Sequence, residues 1–281
     1  MAASGTQRDV AIAADGASGG IVAWDEFTNN EVRVQRLDAS GSALWTSGGV
    51  DPVGGTSYQS DPVVLSGPSG GAILAWTDRR SGMADVYAQR FDGTGAPQWM
   101  TDGVPLTTAA NQQLGQAIVS DGASGAIAMW LDDRSGPSNT YDLYAQRVSA
   151  SGEIAWWHAN GVAACNAAGT QQPFALVADG TGGAFALWSD ERAANSDMYA
   201  TRLMANGNLA ALAADITAVT DEPQDEGGAV RIALTGAPAD SGVGLPEVTG
   251  YNLWRRVSQA GSIVSSRWAD GGSGDPSHAL E

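Results

Sequence analysis

An all-β fold of stacked four-stranded sheets is predicted by three observations. A cassette of about fifty residues is written four times, most legibly as GGIVAWDE, GGAILAWTDRR, GAIAMWLDDR and GGAFALWSDER. The tryptophans that mark it, Trp24, Trp76, Trp130 and Trp188, are offset by 52, 54 and 58 residues. Within each copy, short segments alternate apolar and polar residues with period two, separated by Gly, Asp and Ser clusters. A unit this short cannot bury both faces of its own sheet and must lean on its neighbours. A β-propeller of four recognisable four-stranded blades follows, with the C-terminal segment available as a fifth blade.

The first copy divides into DVAIAAD, GGIVAWDE, EVRVQRLD and SALW. The second runs through PVVLSG, GGAILAWTD, DVYAQRFD and APQW, and the third through QAIVSDG, GAIAMWLD, DLYAQRVS and EIAWW. The fourth has FALVADG, GGAFALWSD, DMYATRLM and a weak NLAAL. Asp-Gly and Gly-Gly pairs in the links DGASGG, SGPSGG, DGASGA and DGTGGA supply the positive φ of tight hairpins between first and second strands. DASG, DGTG, SASG and MANG do the same between third and fourth. The blades so defined span 7–58, 59–111, 112–168 and 169–216, followed by a β segment at 217–270 and a linker-like tail at 271–281.

Tryptophans recur on the expected fourth strands, at Trp45, Trp99 and Trp156, each before a glycine at Gly49, Gly103 or Gly161. Repetition assigns them to packing between blades. The same holds for the acid and arginine after each marker tryptophan, Asp78 with Arg80, Asp132 with Arg134 and Asp190 with Arg192, where the first copy has Glu26 and Thr28. Opposite charges repeated at one hairpin form a turn lock.

The whole chain carries 14 Lys and Arg against 31 Asp and Glu, a formal charge of −17. Such a surface repels phosphate backbones and anionic headgroups, which excludes nucleic acid and membrane surfaces as partners. Cys165 is the single cysteine, so an intramolecular disulfide and a Cys-based zinc site are excluded. No apolar run reaches the length of a transmembrane helix.

The pattern GGxxxAWxDxR, DxYAQR, GxxxWxxxGV over residues 7–216 resembles propeller-type repeats of exported bacterial proteins. That resemblance implies a secreted or cell-surface protein read in its mature form, and it speaks for fold rather than activity. The segment ITAVTDEP, AVRIALTG and GYNLWRRV looks like the first half of a fibronectin type III-like module, so it forms either a fifth blade or an appendage. Incomplete ring closure leaves monomer and homodimer both open.

Residues that depart from the repeat are free to carry function. His158 beside Trp157 is the histidine available to an acid/base mechanism, and Asp133 and Glu191 are a candidate carboxylate pair. Loops entering the first strands bring Asp9, Asp61, Gln116 and Gln172, together with Arg8, toward the channel mouth, where an oxygen-only ligand set suits calcium. Two functions stand: a binding or scaffold module presenting loops to a carbohydrate, protein or small ligand, and a metal-dependent hydrolase acting on phosphotriesters, lactones or other esters, with a glycosidase using paired acids as its variant.

Overall fold

The structure is a computed structural model that describes residues 6–54, 57–136, 141–190, 196–209, 215–221 and 230–235. The chain divides into two units, Met1–Ala210 and Ala211–Glu281. In the first unit the chain forms β1 (Gln7–Ala14), β2 (Gly20–Glu26), β3 (Glu31–Leu37), β4 (Gln59–Ser66), β5 (Ala72–Asp78), β6 (Asp85–Phe91) and β7 (Val104–Pro105). It continues through β8 (Gln113–Ser120), β9 (Ala126–Asp132), β10 (Asp142–Val148), β11 (Val162–Cys165), β12 (Gln171–Ala178), β13 (Ala184–Asp190) and β14 (Asp197–Leu203). These make four antiparallel meanders in chain order: β1-β2-β3, β4-β5-β6-β7, β8-β9-β10-β11 and β12-β13-β14. In the second unit β15 (Asp215–Asp221) pairs antiparallel with β16 (Val230–Thr235), and the expected third strand, GYNLWRRV, lies outside the described residues.

Successive sheets stack face to face, and period-two alternation decides which side chain goes to which neighbour. Ile21, Ala23, Val32 and Val34 of the first sheet share a core with Ala72, Leu74, Trp76 and Phe91 of the second. The opposite face of the second, Ile73, Ala75, Val86 and Ala88, meets Ala128, Trp130 and Val148 of the third. Ile127, Met129 and Leu143 in turn meet Ala186, Trp188 and Leu203 of the fourth. Each sheet therefore turns its marker-tryptophan face toward the sheet before it. Trp76 and Trp130 are fully buried; at about 150–250 Å² per ring and about 25 cal/mol per Å², each contributes at most on the order of 4–6 kcal/mol.

The fourth strands are not where the alternation puts them. SALW, APQW, EIAWW and NLAAL touch the sheet through single bridges, Leu37 to Ala43, Phe91 to Pro97, Val148 to Ile154 and Leu203 to Leu209. In the first three copies the chain then leaves the sheet; the fourth arm beyond Leu209 lies outside the described residues. The outer strand comes after the glycine, as β7 and β11, and in the first copy as a single bridge between Val34 and Val50. In the first three copies a buried glutamine of the third strand holds the arm, a position occupied by Thr201 in the fourth. Gln89 accepts from the Trp99 amide at 2.9 Å and donates to the Met100 carbonyl at 2.9 Å, taking up groups that a ladder would otherwise pair. Gln35 holds Trp45 and Thr46 in the same way. The arm so held delivers its indole to the next sheet: Trp45, Trp99 and Trp156 donate at 3.0 Å to the carbonyls of Gly93, Ala150 and Ala205.

Candidate functional site

Two of the three expected turn locks are present, at Asp78 with Arg80 and Asp132 with Arg134, while Arg192, the expected partner of Asp190, lies outside the described residues. Asp78 accepts from the Trp76 indole at 3.0 Å, from the Arg80 amide at 2.8 Å and from its guanidinium at 2.6 Å. Asp132 repeats this with Trp130 at 2.8 Å and Arg134 at 2.5 Å. Arg80 and Arg134 lie over the rings of Tyr87 and Tyr144 at 4.1 and 3.7 Å. A second carboxylate set, Asp15, Asp121 and Asp179, closes the first hairpins and pairs with Arg36, Arg147 and Arg202 at 2.9, 2.9 and 2.8 Å.

The first sheet breaks the pattern. Glu26 stands in the lock position, and the Trp24 indole nitrogen is buried without a hydrogen-bond partner. Each first strand also carries a register shift near its start, between Arg8 and Ala11, Ser60 and Val63, Leu114 and Ala117, and Gln171 and Phe174. Bulges of this kind re-aim side chains beside functional sites. Asp9 and Asp61 occupy the bulges in left-handed backbone, φ 50° and 53°, where the counterpart in the third sheet is Gly115. Asp tolerates that region better than most residues, at a conformational cost.

At the first bulge Arg8 gathers residues from three segments. Its Nε donates to Asp25 Oδ2 at 3.1 Å, its other arm donates to the Tyr58 hydroxyl at 3.2 Å, and Asp9 lies 3.3 Å away. The guanidinium covers the Phe27 ring at 4.1 Å, and that ring is 47% exposed. Asp25 is buried, and its burial pushes the carboxyl up from the usual carboxylate range against the pull of Arg8, with the carboxylates of Asp9 and Asp61 pushing the same way. Arg8 is shifted up in return, chiefly by its hydrogen bond to Asp25. A charged fork, a buried carboxyl, a phenol and an exposed ring thus share one corner. Such a corner can grip a ligand that offers both an apolar face and several hydroxyls.

Of the residues singled out from the sequence, Arg8 and Asp9 come together here, and Asp61 adds its charge to those that push the Asp25 carboxyl up. Gln116 belongs to the adjoining bulge, but its carboxamide is engaged at both ends: the oxygen accepts from Thr77 at 3.0 Å and the nitrogen donates to the Asp61 carbonyl. Gln172 is exposed on β12. Of the donors expected around calcium, Asp9 pairs with Arg8, Asp61 accepts from Ser60 at 2.8 Å and Gln116 is engaged at both ends, and among the described residues no group of three or more His, Cys, Asp or Glu side chains is arranged to hold a metal. Asp133 is buried, with its carboxylate accepting from the Gln112 amide and its carbonyl from Asn111 at 3.2 Å, a loop-holding role. His158 lies tilted against the exposed Trp157, ring centroids 3.4 Å apart, and takes no part in the Arg8 corner's hydrogen bonds. Glu191 lies outside the described residues. Sequence reasoning missed Asp25, Phe27 and Tyr58. The signal was there for Asp25, which stands where the other copies have Thr77, Leu131 and Ser189.

No protein-family model matches the chain, and no curated protein matches it in sequence. Among solved structures, the polysaccharide lyase Uly1 matches at a TM-score of 0.50 with 9% identity, over 89% of this chain and 68% of that one. A thermostable family-43 glycoside hydrolase gives 0.46 with 12% identity over 83% and 85%. An endo-arabinase from Bacteroides thetaiotaomicron VPI-5482 gives 0.42 with 12% identity over 81% and 88%. At such identities a likeness reports fold alone: this is an all-β chain of stacked antiparallel sheets similar in fold to Uly1.

Proposed function

We propose that the chain is a β-propeller binding module of an exported protein that presents the Arg8 corner to a carbohydrate or similar polyhydroxylated ligand. The carrying observation is the cluster of Arg8, Asp25 and Tyr58 with the exposed Phe27 ring, in a molecule whose repeated acids and arginines are tied up in turn locks. A sugar ring offers a C–H face to the aromatic and hydroxyls to the guanidinium and to Asp9 and Asp61, the combination that small-ligand sites use. The four sheets are read as four blades, with a further element completing the ring.

A glycan array, followed by titration of the best hit, tests this. Phe27→Ala is expected to weaken binding at least tenfold without lowering Tm, and Arg8→Ala to abolish it. A folded protein that binds no glycan overturns the reading.

A hydrolase is the second reading, favoured by the buried Asp25 carboxyl, bonded by Arg8 at 3.1 Å and held above the usual carboxylate range chiefly by burial. Turnover of chromogenic esters or phosphotriesters that stops on chelation and returns with calcium supports that reading over simple binding.

A further inference from the structure

Three of the four first hairpins are headed by an aspartate, and the second sheet has Gly67 in that place, opening the turn Gly67-Pro68-Ser69-Gly70-Gly71. The frame of the turn is shared. The amides of Asp15, Gly67, Asp121 and Asp179 donate to the carbonyls of Gly19, Gly71, Gly125 and Gly183 at 3.1, 2.8, 3.3 and 3.0 Å. In the aspartate copies one carboxylate oxygen accepts the amides two and four residues on, and the other accepts Nε of the third-strand arginine. Each of these carboxylate side chains is 1% exposed.

Arg90 is the corresponding arginine of the second sheet, and it is aimed at the same partner. Its Nη1 donates to the Ala150 carbonyl at 2.8 Å, as Nη1 of Arg147 donates to the Ala205 carbonyl at 3.0 Å. Arg147 then gives Nε and Nη2 to Asp121 at 3.0 and 2.9 Å. In Arg90 the Nε is buried without a hydrogen-bond partner, and among the described residues no carboxylate pairs with the guanidinium. A buried donor left in this state is costly. The turn has satisfied its own amide, because Gly71 donates to the Pro68 carbonyl at 3.0 Å where Gly19, Gly125 and Gly183 donate to a carboxylate. The unmatched group is therefore the guanidinium fork, whose geometry suits a carboxylate.

We propose that Arg90 and the turn between β4 and β5 form a binding site for a small free carboxylate of the acetate class. Glycine differs from aspartate by the atoms of a CH2–COO− group, so what the second copy lacks has the size of acetate. The three aspartate copies define the pose, with the carboxylate on Nε and Nη2 of Arg90 and the methyl toward the α-carbon of Gly67. No side chain has moved into the place of the missing one: the three atoms nearest a Cβ on Gly67 are backbone atoms of Gly71 and Ala72, the closest at 3.1 Å. The near-complete burial of the counterpart carboxylates favours a short acid over a larger body. The site shares no residue with the Arg8 corner, so either reading can fail without the other.

The probe is sodium acetate, exchanged for sodium chloride at constant ionic strength while the Arg90 Nε–Hε and Gly67 amide resonances of isotope-labelled full-length protein are followed. A saturable shift of both is expected, with a rise in Tm. In Arg90→Lys, which keeps the charge and loses the fork, the Gly67 response is expected to be at least tenfold weaker. Gly67→Asp supplies the carboxylate from the chain itself at a backbone φ of −103° that any residue adopts. It is expected to raise Tm in acetate-free buffer and to abolish the acetate response. Equal effects of acetate and chloride, or an undiminished acetate response in either variant, overturn the proposal. Tighter binding of N-acetyl-aspartate amide than of acetate also overturns it, because the occupant is then a side-chain carboxylate of another polypeptide.

Discussion

Gly152 sits so close under the indole of Trp99 that a single methyl on its α-carbon would come within 2.7 Å of Cγ. The two residues belong to adjoining sheets, so the glycine governs how closely those sheets approach. Gly152→Ala is expected to force the indole out of its seat and destabilise the protein by about 3–5 kcal/mol, comparable to losing the ring through Trp99→Ala. Gly41→Ala, at φ 81° with nothing within 4 Å of the added methyl, is expected to show only the left-handed strain of about 1–2 kcal/mol. Chemical denaturation of the variants checks the contrast, and equal losses at the two glycines would refute the steric account.

Asp78 is expected to be worth more than a surface ion pair because it is fully buried while bonding an indole and a guanidinium. Asp78→Ala leaves the Trp76 N–H without its acceptor and Arg80 without its counterion. Removing one member of a buried pair costs about 3–5 kcal/mol, and the partial exposure of Arg80 brings the expected loss to about 2–4 kcal/mol. A double-mutant cycle with Arg80→Ala should return a coupling energy of at least 1 kcal/mol, in the range for contacting partners. Strict additivity would mean the lock is ornamental.

Gln89 holds an arm rather than a ladder. Replacing it with Leu leaves the Trp99 amide and the Met100 carbonyl without partners in the interior, at about 1–3 kcal/mol each. The expected signature is local: hydrogen exchange at the Trp99 amide accelerates by more than the change in global stability accounts for. Unchanged protection there would contradict the clamp.

Stability is expected to fall in acid. The carboxyl of Asp15 is held below its ordinary range, first by the Ala17 amide and then by Arg36 and Gly19. In Asp78 and Asp179 burial works in the raising direction and is outweighed, by Arg80 and Trp76 in one and by Thr181, Gly183 and Arg202 in the other. A carboxyl depressed in the folded state stabilises above its unfolded value and loses that contribution as pH falls through the folded value. Asp25 and Asp85, raised chiefly by burial, act oppositely and contribute below their unfolded values. Tm should therefore hold from neutrality to about pH 4 and fall below it, with a shallower fall in Asp179→Asn. Identical acid limbs in the two proteins would remove Asp179 from the explanation.

The sequence alone determined the local order of this protein. Alternation placed the first three strands of each copy, Asp-Gly and Gly-Gly pairs placed the hairpins, and recurrence marked Asp78 and Asp132 as structural. Each of these depends on neighbours a few residues apart, which a linear reading can see. The expected fourth strand of the first copy went astray because Ala43-Leu44-Trp45 carries a strand-like pattern, but the Trp45 amide and the Thr46 carbonyl are taken by Gln35 from across the turn. The Arg8 corner was half legible. Asp25 and Tyr58 reach Arg8 from 17 and 50 residues away, and only the bulge in β1 turns that side chain toward them. Which face of a strand looks inward, and which glycine receives an indole, is decided when one sheet packs on the next, because burial is a property of the pair and not of either segment by itself.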